Sequence, residues 1–407
     1  MRPLSAMRRD LSRARRGGAF GPLERESARR TVTAVRRGGD AAVLRSVRRF
    51  DQPQATARDL VVDAAGLRRA AGRCSREMRI ALDLAYARVR AFHERQRPRE
   101  IRRRDATSDV RLVPLPLDRV GALVPRGGSA YPSTALMTGV PAQVAGVGDL
   151  VAASPPPRDG TVDPALAYAL TLVGATALYR AGGAAAVAAL AYGTGSLARA
   201  DRIVGPGNAY VAAAKWLVSA DVGIDAFAGP SELVAIASAD ADPRLLALDL
   251  LAQAEHGAGA FAALISDDPL LLRGVAGALA TGSARVFLYR AADLGAAARA
   301  ADDAAPEHVL LAGREAAALR DDVPHAGAVF VGPRSAVAFG DYVAGANHSL
   351  PTGGTARWSS PLRVEDFVRW TSRVELRGDV RRLARAGAAV ARHEGMRYHA
   401  ESMEARI

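Results

Sequence analysis

The chain has 407 residues, of which 49% are apolar, enough for more than one domain with a real core. Its formal charge of +13 raises nucleic-acid binding, but Lys215 is the only lysine and the arginine-dense stretch 2–49 carries few aromatics and no DNA-binding signature, so a solvated basic surface is expected instead. The lone Cys74 excludes an internal disulfide framework and a cysteine zinc cage, and no apolar run or signal-type core is present, so a cytoplasmic protein is expected.

Residues 23–50 read as two short helices, the second capped by Asp40, followed by a strand at 60–62. A long helical region over 64–96 is interrupted around Arg73-Cys74-Ser75 and stopped by Pro98. Strands are then expected at 120–124, at 149–154 and from Tyr179 onward, alternating with helices at 131–147, from Asp163-Pro164, and at 184–191. Repeated strand–turn–helix units imply a parallel sheet covered on both faces. Gly205-Pro206-Gly207-Asn208-Ala209-Tyr210 leads into a helix around Lys215; its backbone amides suit a phosphate, or it is a plain tight turn, because the third glycine of a dinucleotide fingerprint is missing. A second run of strands begins at Glu232 and continues at 261–265, 286–289, 309–312 and 328–332. The tail, 379–407, reads as mainly helical and polar.

Within the second run, Asp242 and Pro243 open a helix that Gly257 stops. Leu245, Leu248, Leu251 and Ala252 are expected on its core face. Gln253 and His256 project from neighbouring positions of its last turn, with Asp249 one turn earlier: a partial metal site, or a polar helix end. The other polar clusters are Ser231-Glu232, Glu307-His308 after Pro306, Asp341 between Gly340 and Tyr342, and Glu394 with His399 in the tail. Taken singly, each also reads as a cap, a turn or a solvated residue.

Taken in order, these segments say more. Val204-Gly205-Pro206-Gly207-Asn208-Ala209-Tyr210-Val211, Ala228-Gly229-Pro230-Ser231-Glu232, Gln253-Ala254-Glu255-His256-Gly257, Ala305-Pro306-Glu307-His308, Gly340-Asp341-Tyr342 and Asn347-His348-Ser349-Leu350-Pro351-Thr352 together closely resemble the histidinol dehydrogenase family. The similarity runs from about Val32 to Ala400. The resemblance implies oxidation of L-histidinol through histidinal to L-histidine, with zinc and NAD as cofactors. It implies Gln253, His256, Asp341 and His399 as metal ligands, with Asp341 rather than Asp249 as the carboxylate, and Glu307 and His308 as the acid–base pair. Ser231, His348 and Glu394 match substrate-binding positions, joined there by the metal ligands and His308; Tyr131 and Asn208 match positions that hold NAD. In the family, Glu394 and His399 reach the site from the partner subunit, which implies a homodimer with shared sites.

The implied fold is α/β: two incomplete Rossmann-like domains, one inserted in the other, with small N- and C-terminal extensions. The motifs put an arm at 1–20, the first domain at 21–130 and 232–362, the inserted NAD-side domain at 131–231, and a helical extension at 363–407. Two positions depart from the family pattern on the nucleotide side: Ala185 stands where the family usually has Gln, and Arg126 interrupts its usual Val-Pro-Gly-Gly loop. Both bear on the choice between NAD and NADP. Relatives that oxidise other small polar primary alcohols, including sulfonated diols, are the alternative.

Overall fold

The computed structural model of the chain describes residues 1–15, 18–227, 229–257, 259–279 and 286–407. The strands, in chain order, are β1 (Arg2–Pro3), β2 (Val61–Asp63), β3 (Ile101–Arg104), β4 (Ser108–Pro116), β5 (Arg119–Leu123), β6 (Asp149–Ala153), β7 (Ala177–Tyr179), β8 (Arg202–Val204), β9 (Gly223–Ile224), β10 (Glu232–Ala237), β11 (Phe261–Ser266), β12 (Val286–Arg290), β13 (His308–Ala312), β14 (Ala328–Val331) and β15 (Val368–Leu376). They fall into two compact units: Met1–Gln96 with Leu117–Phe367, and Arg97–Pro116 with Val368–Ile407.

The first unit holds two sheets. One has the order β2-β7-β6-β5-β8-β9, parallel except for β2. The other, β1-β12-β11-β10-β13-β14, is parallel throughout. Each has the doubly wound pattern, with a switch in strand direction of progress between β5 and β8 and between β10 and β13. The α/β expectation with two Rossmann-like sheets therefore holds. Sheet membership moves the domain boundary, however. β5, assigned from sequence to the first domain, is central in the sheet of β6, β7 and β8, and β2 pairs with β7. The N-terminal arm joins the second sheet, because β1 pairs with β12 and Leu11 enters that sheet's core.

Local sequence explains how the layers close. The helix Gly183–Tyr192 is rich in alanine and buried on nearly every side, between Pro22–Phe50 and Ala209–Val218. Its Leu190 approaches β5 so closely that a Cβ on Gly121 would lie 2.6 Å from a Leu190 methyl, so a side chain at that strand position would force Leu190 to move. The helical run Pro22–Phe50 breaks at Gly39 (φ 48°), where two helices were expected to meet. β7 ends at Tyr179 instead of starting there.

The expected core face of Pro243–Ala254 is wrong. Leu246, Ala247, Leu250 and Gln253 are buried, whereas Leu245 and Leu248 are 45% and 61% exposed. Leucine on both sides of the helix makes the phase ambiguous by periodicity, and packing on β11 selects the other stripe. The second unit corrects the expectation of a helical extension over 363–407, because a strand precedes the helices of 379–407. β15 pairs antiparallel with β4 over nine residues, and β4 with β3, before the helices Arg381–His393 and Arg397–Glu404. No helix among the described residues is long and apolar enough to cross a membrane.

Candidate active site

Glu307 and His308 stand at the entrance to β13, and Leu233 of β10 is in register with His308. Both polar residues therefore lie at the N-terminal end of β13, beside Ser231 and Glu232 at the start of β10. This is the opposite edge from the usual ligand crevice of an open parallel sheet. The turn into β13 is tightly constrained. Ala305 adopts a left-handed conformation (φ 44°), unusual for a residue with a Cβ, and is fully buried. Gly327 passes so near that a Cβ there would stand 2.7 Å from the Glu307 carbonyl oxygen.

The Glu307 carboxylate accepts from Ser231 Oγ at 2.5 Å and from the Glu232 backbone N–H at 3.0 Å. Burial outweighs these two bonds and pushes its pKa up to about 7. His308 Nδ1–H donates to the Glu232 carbonyl at 3.2 Å, which leaves Nε2 of the neutral ring unprotonated. Burial lowers the His308 pKa, against the opposing charge of Asp341. The pair thus combines a carboxyl that exchanges its proton near neutrality with an imidazole kept neutral.

Around this pair lie the other first-unit residues. Gln253, buried on the last turn of its helix, gives its amide N–H to Ser231 Oγ at 3.0 Å, which leaves its Oε1 as an acceptor. His256 acts electrostatically on Glu307, and His256 and Asp341 act on both His308 and His348, so these side chains share one polar region. Asp341 is carried by the short helix Ala338–Tyr342, which packs on Phe330; a Cβ on Gly340 would stand 2.5 Å from that ring. Asp249 holds the start of this helix, accepting the Val337 N–H at 3.2 Å. That is an anchoring role and accounts for Asp249 without a ligand role. His348 Nδ1–H donates to the Asp341 carbonyl at 3.0 Å, and its neighbour Asn347 ties the loop to the Met137 carbonyl at 2.7 Å.

The donor chemistry suits a divalent ion: an amide oxygen and an imidazole come from the end of the helix Pro243–Ala254, and a carboxylate from the short helix Ala338–Tyr342, all in one unit. Among the described residues, no three His, Cys, Asp or Glu side chains form a metal-holding group by themselves. His399 and Glu394 stand in the second unit, both exposed, on either side of the turn at Gly395 (φ 75°).

Tyr131 and Asn208 follow β5 and β8, so they flank the switch point of the first sheet at its C-terminal edge. The Tyr131 hydroxyl lies over Gly127, where a Cβ would stand 2.4 Å away. Asn208 Oδ1 caps Ala209–Val218 by accepting from Tyr210 and Val211, which leaves its amide N–H groups for other partners. Lys215 secures this loop from below: its buried ammonium donates to the Gly205 carbonyl at 2.8 Å and pairs with Asp225, whose other oxygen accepts the Gly205 N–H.

A family profile, histidinol dehydrogenase, matches residues 23–407. The chain belongs to the histidinol dehydrogenase family. Histidinol dehydrogenase of Pseudomonas aeruginosa is 41% identical over 393 residues, covering 92% of this chain and 89% of that protein. That of Caulobacter vibrioides is 43% identical over 397 residues, covering 92% and 91%. A crystal structure of histidinol dehydrogenase from Elizabethkingia anophelis matches with a TM-score of 0.87 at 28% identity, covering 94% of this chain and 91% of that one. Against this family pattern, Ala185 is a core residue packed within Gly183–Tyr192, and Arg126 lies within electrostatic reach of Asp159. Sequence reasoning gave no role to Glu232, whose backbone holds both Glu307 and His308, or to Arg15, whose guanidinium pairs with the Glu232 carboxylate. Glu232 sat in a quoted motif without a role, and nothing local marks Arg15 among its arginine neighbours.

Proposed function

We propose that the chain oxidises L-histidinol through histidinal to L-histidine, with two NAD molecules reduced. The observation that carries this reading is the buried Glu307–His308 pair, fixed by Ser231 and the Glu232 backbone, beside His256, Asp341 and His348. Alcohol-to-acid oxidation needs two hydride losses with a water addition between them. His308 Nε2 takes the hydroxyl proton as each hydride leaves. Glu307, ionised above about pH 7, takes a proton from the water that attacks the aldehyde carbon. Ser231 and His348 orient the polar substrate, and Tyr131 and Asn208 hold the nucleotide at the switch point.

NAD supplies the hydride acceptor when bound. A divalent ion, zinc by resemblance, would be held by Gln253, His256, Asp341 and His399 of the partner subunit, and would supply Lewis acidity and an anchor for the substrate's nitrogens. Glu394 contributes to substrate binding from the same tail, so the reading requires a homodimer.

The test is NADH formation from L-histidinol by zinc-loaded protein, with histidine quantified. Two NADH per histidine, lost in His308→Asn, is the expected result. A folded, metal-bound protein that turns over no histidinol with either nicotinamide cofactor would exclude this substrate and send the search to other polar primary alcohols.

A further inference from the structure

The N-terminal helix Met7–Ala14 ends at Arg15, whose guanidinium reaches the first residue of β10. Its Nε and one terminal nitrogen each lie 2.6 Å from a different carboxylate oxygen of Glu232. The Glu232 side chain is only 3% exposed and that of Arg15 22%, so this fork-to-fork pair is largely withdrawn from water. The turn at Gly353-Gly354 passes close over the guanidinium; a Cβ on Gly354 would stand 2.9 Å from Arg15 Nη1. Nothing in the proposed chemistry uses either charge.

Glu232 nevertheless touches both halves of the acid–base pair through its backbone. Its N–H holds Glu307 Oε2, and its carbonyl holds His308 Nδ1. One residue therefore sets the direction of the Glu307 carboxylate and the tautomer of His308. Its side chain also brings a negative charge close to Glu307. The ion pair with Arg15 fixes the residue and balances that charge together.

We infer that the Arg15–Glu232 ion pair is a positioning device for Glu307 and His308, delivered by the N-terminal helix across 217 residues of sequence. Both are positioning residues and neither contacts the reacting atoms. The inference rests on the proposed dehydrogenase site. Without Arg15, a buried carboxylate is left unpaired beside Glu307, and the strand entrance that aims both groups must shift or take up a proton.

The test uses full-length, zinc-loaded dimer carrying Arg15→Met, Arg15→Lys, Glu232→Gln, or Arg15→Met with Glu232→Gln. Arg15→Met should lower kcat by about tenfold or more while KM changes little, the signature of a lost arrangement of catalytic groups. Arg15→Lys should recover part of kcat, because a point charge replaces the fork incompletely. The double variant should exceed Arg15→Met in both kcat and Tm, since the unpaired charge is removed with its partner. Nitrogen NMR of the histidines, with His308 identified by its loss in His308→Asn, should show the Nδ1–H tautomer in the parent and a mixed tautomer in Arg15→Met. This readout needs no substrate, so it separates failure of the inference from failure of the histidinol reading. Parent-like kcat and tautomer in a folded Arg15→Met protein would overturn the inference. So would a raised KM at unchanged kcat, or a double variant no better than the single one.

Discussion

Ser231 Oγ donates to Glu307 Oε2 at 2.5 Å and accepts from Gln253 Nε2 at 3.0 Å, so one hydroxyl joins the acid–base carboxyl to an amide of the proposed metal side. The bond to Glu307 stabilises the ionised carboxylate and opposes the upward push of burial. Ser231→Ala removes that support and frees the Gln253 amide. The acid limb of the pH–kcat profile should move to higher pH, and zinc should be lost at lower chelator concentration. A profile and a metal affinity both equal to the parent's would show that the hydroxyl links nothing of consequence.

The two members of the pair should separate the two oxidation steps. Glu307 is protonated below about pH 7 and can accept a proton only above it, so kcat for the full reaction should rise with pH through about 7. His308 has its pKa lowered by burial, so its imidazole stays a competent base on the acid side of that limb. Glu307→Gln should therefore retain alcohol oxidation and lose water addition. The measurement is NADH yield with an aldehyde trap: one NADH per histidinol in Glu307→Gln against two in the parent.

Gly340 shows how much of this site was written in the chain and how much was not. The Gly-Asp-Tyr segment was legible as a motif, but the reason for its glycine is the ring of Phe330, ten residues earlier and invisible to local pattern. The parallel sheets and the helix starts at Asp163 and Asp242 followed from short-range chemistry, and both caps are formed. β4 and β15 were missed because pairing between segments about 250 residues apart leaves no local signal, and charged residues such as Arg111 and Arg373 interrupt both strands. Arg15 was missed for a related reason: its partner is known only once the fold brings β10 to the end of the first helix. Gly340→Ala tests the packing directly. Overpacking against the ring should cost about 1–3 kcal/mol of stability and displace Asp341, seen as a lower Tm together with weakened metal retention.

Lys215 is the only lysine in the chain and is buried, with its ammonium spent on Asp225 and two backbone carbonyls. This holds the Gly205-Pro206-Gly207-Asn208 loop from beneath and leaves Asn208 exposed at the switch point. Lys215→Met strands the Asp225 carboxylate, at a cost of about 3–5 kcal/mol for breaking a buried pair from one side. Calorimetry should show the stability loss, and titration with NAD should show weaker binding. Adding Asp225→Asn should recover part of the stability, because the uncompensated charge is then gone.

The proposed sharing of sites between subunits makes a prediction that no single-chain variant can make. His256→Ala and His399→Ala should each abolish turnover when assayed alone. In a mixed dimer, one site combines both mutant residues, while the other receives intact His256 from one chain and intact His399 from the other. Refolding the two variants together at equal amounts should therefore restore about a quarter of parental activity, since half of randomly formed dimers are mixed and each has one good site. If both histidines served the same site within one chain, every site in the mixture would lack one of them. Activity would then stay at the level of the separate variants, and the tail would have to be assigned to its own subunit's site.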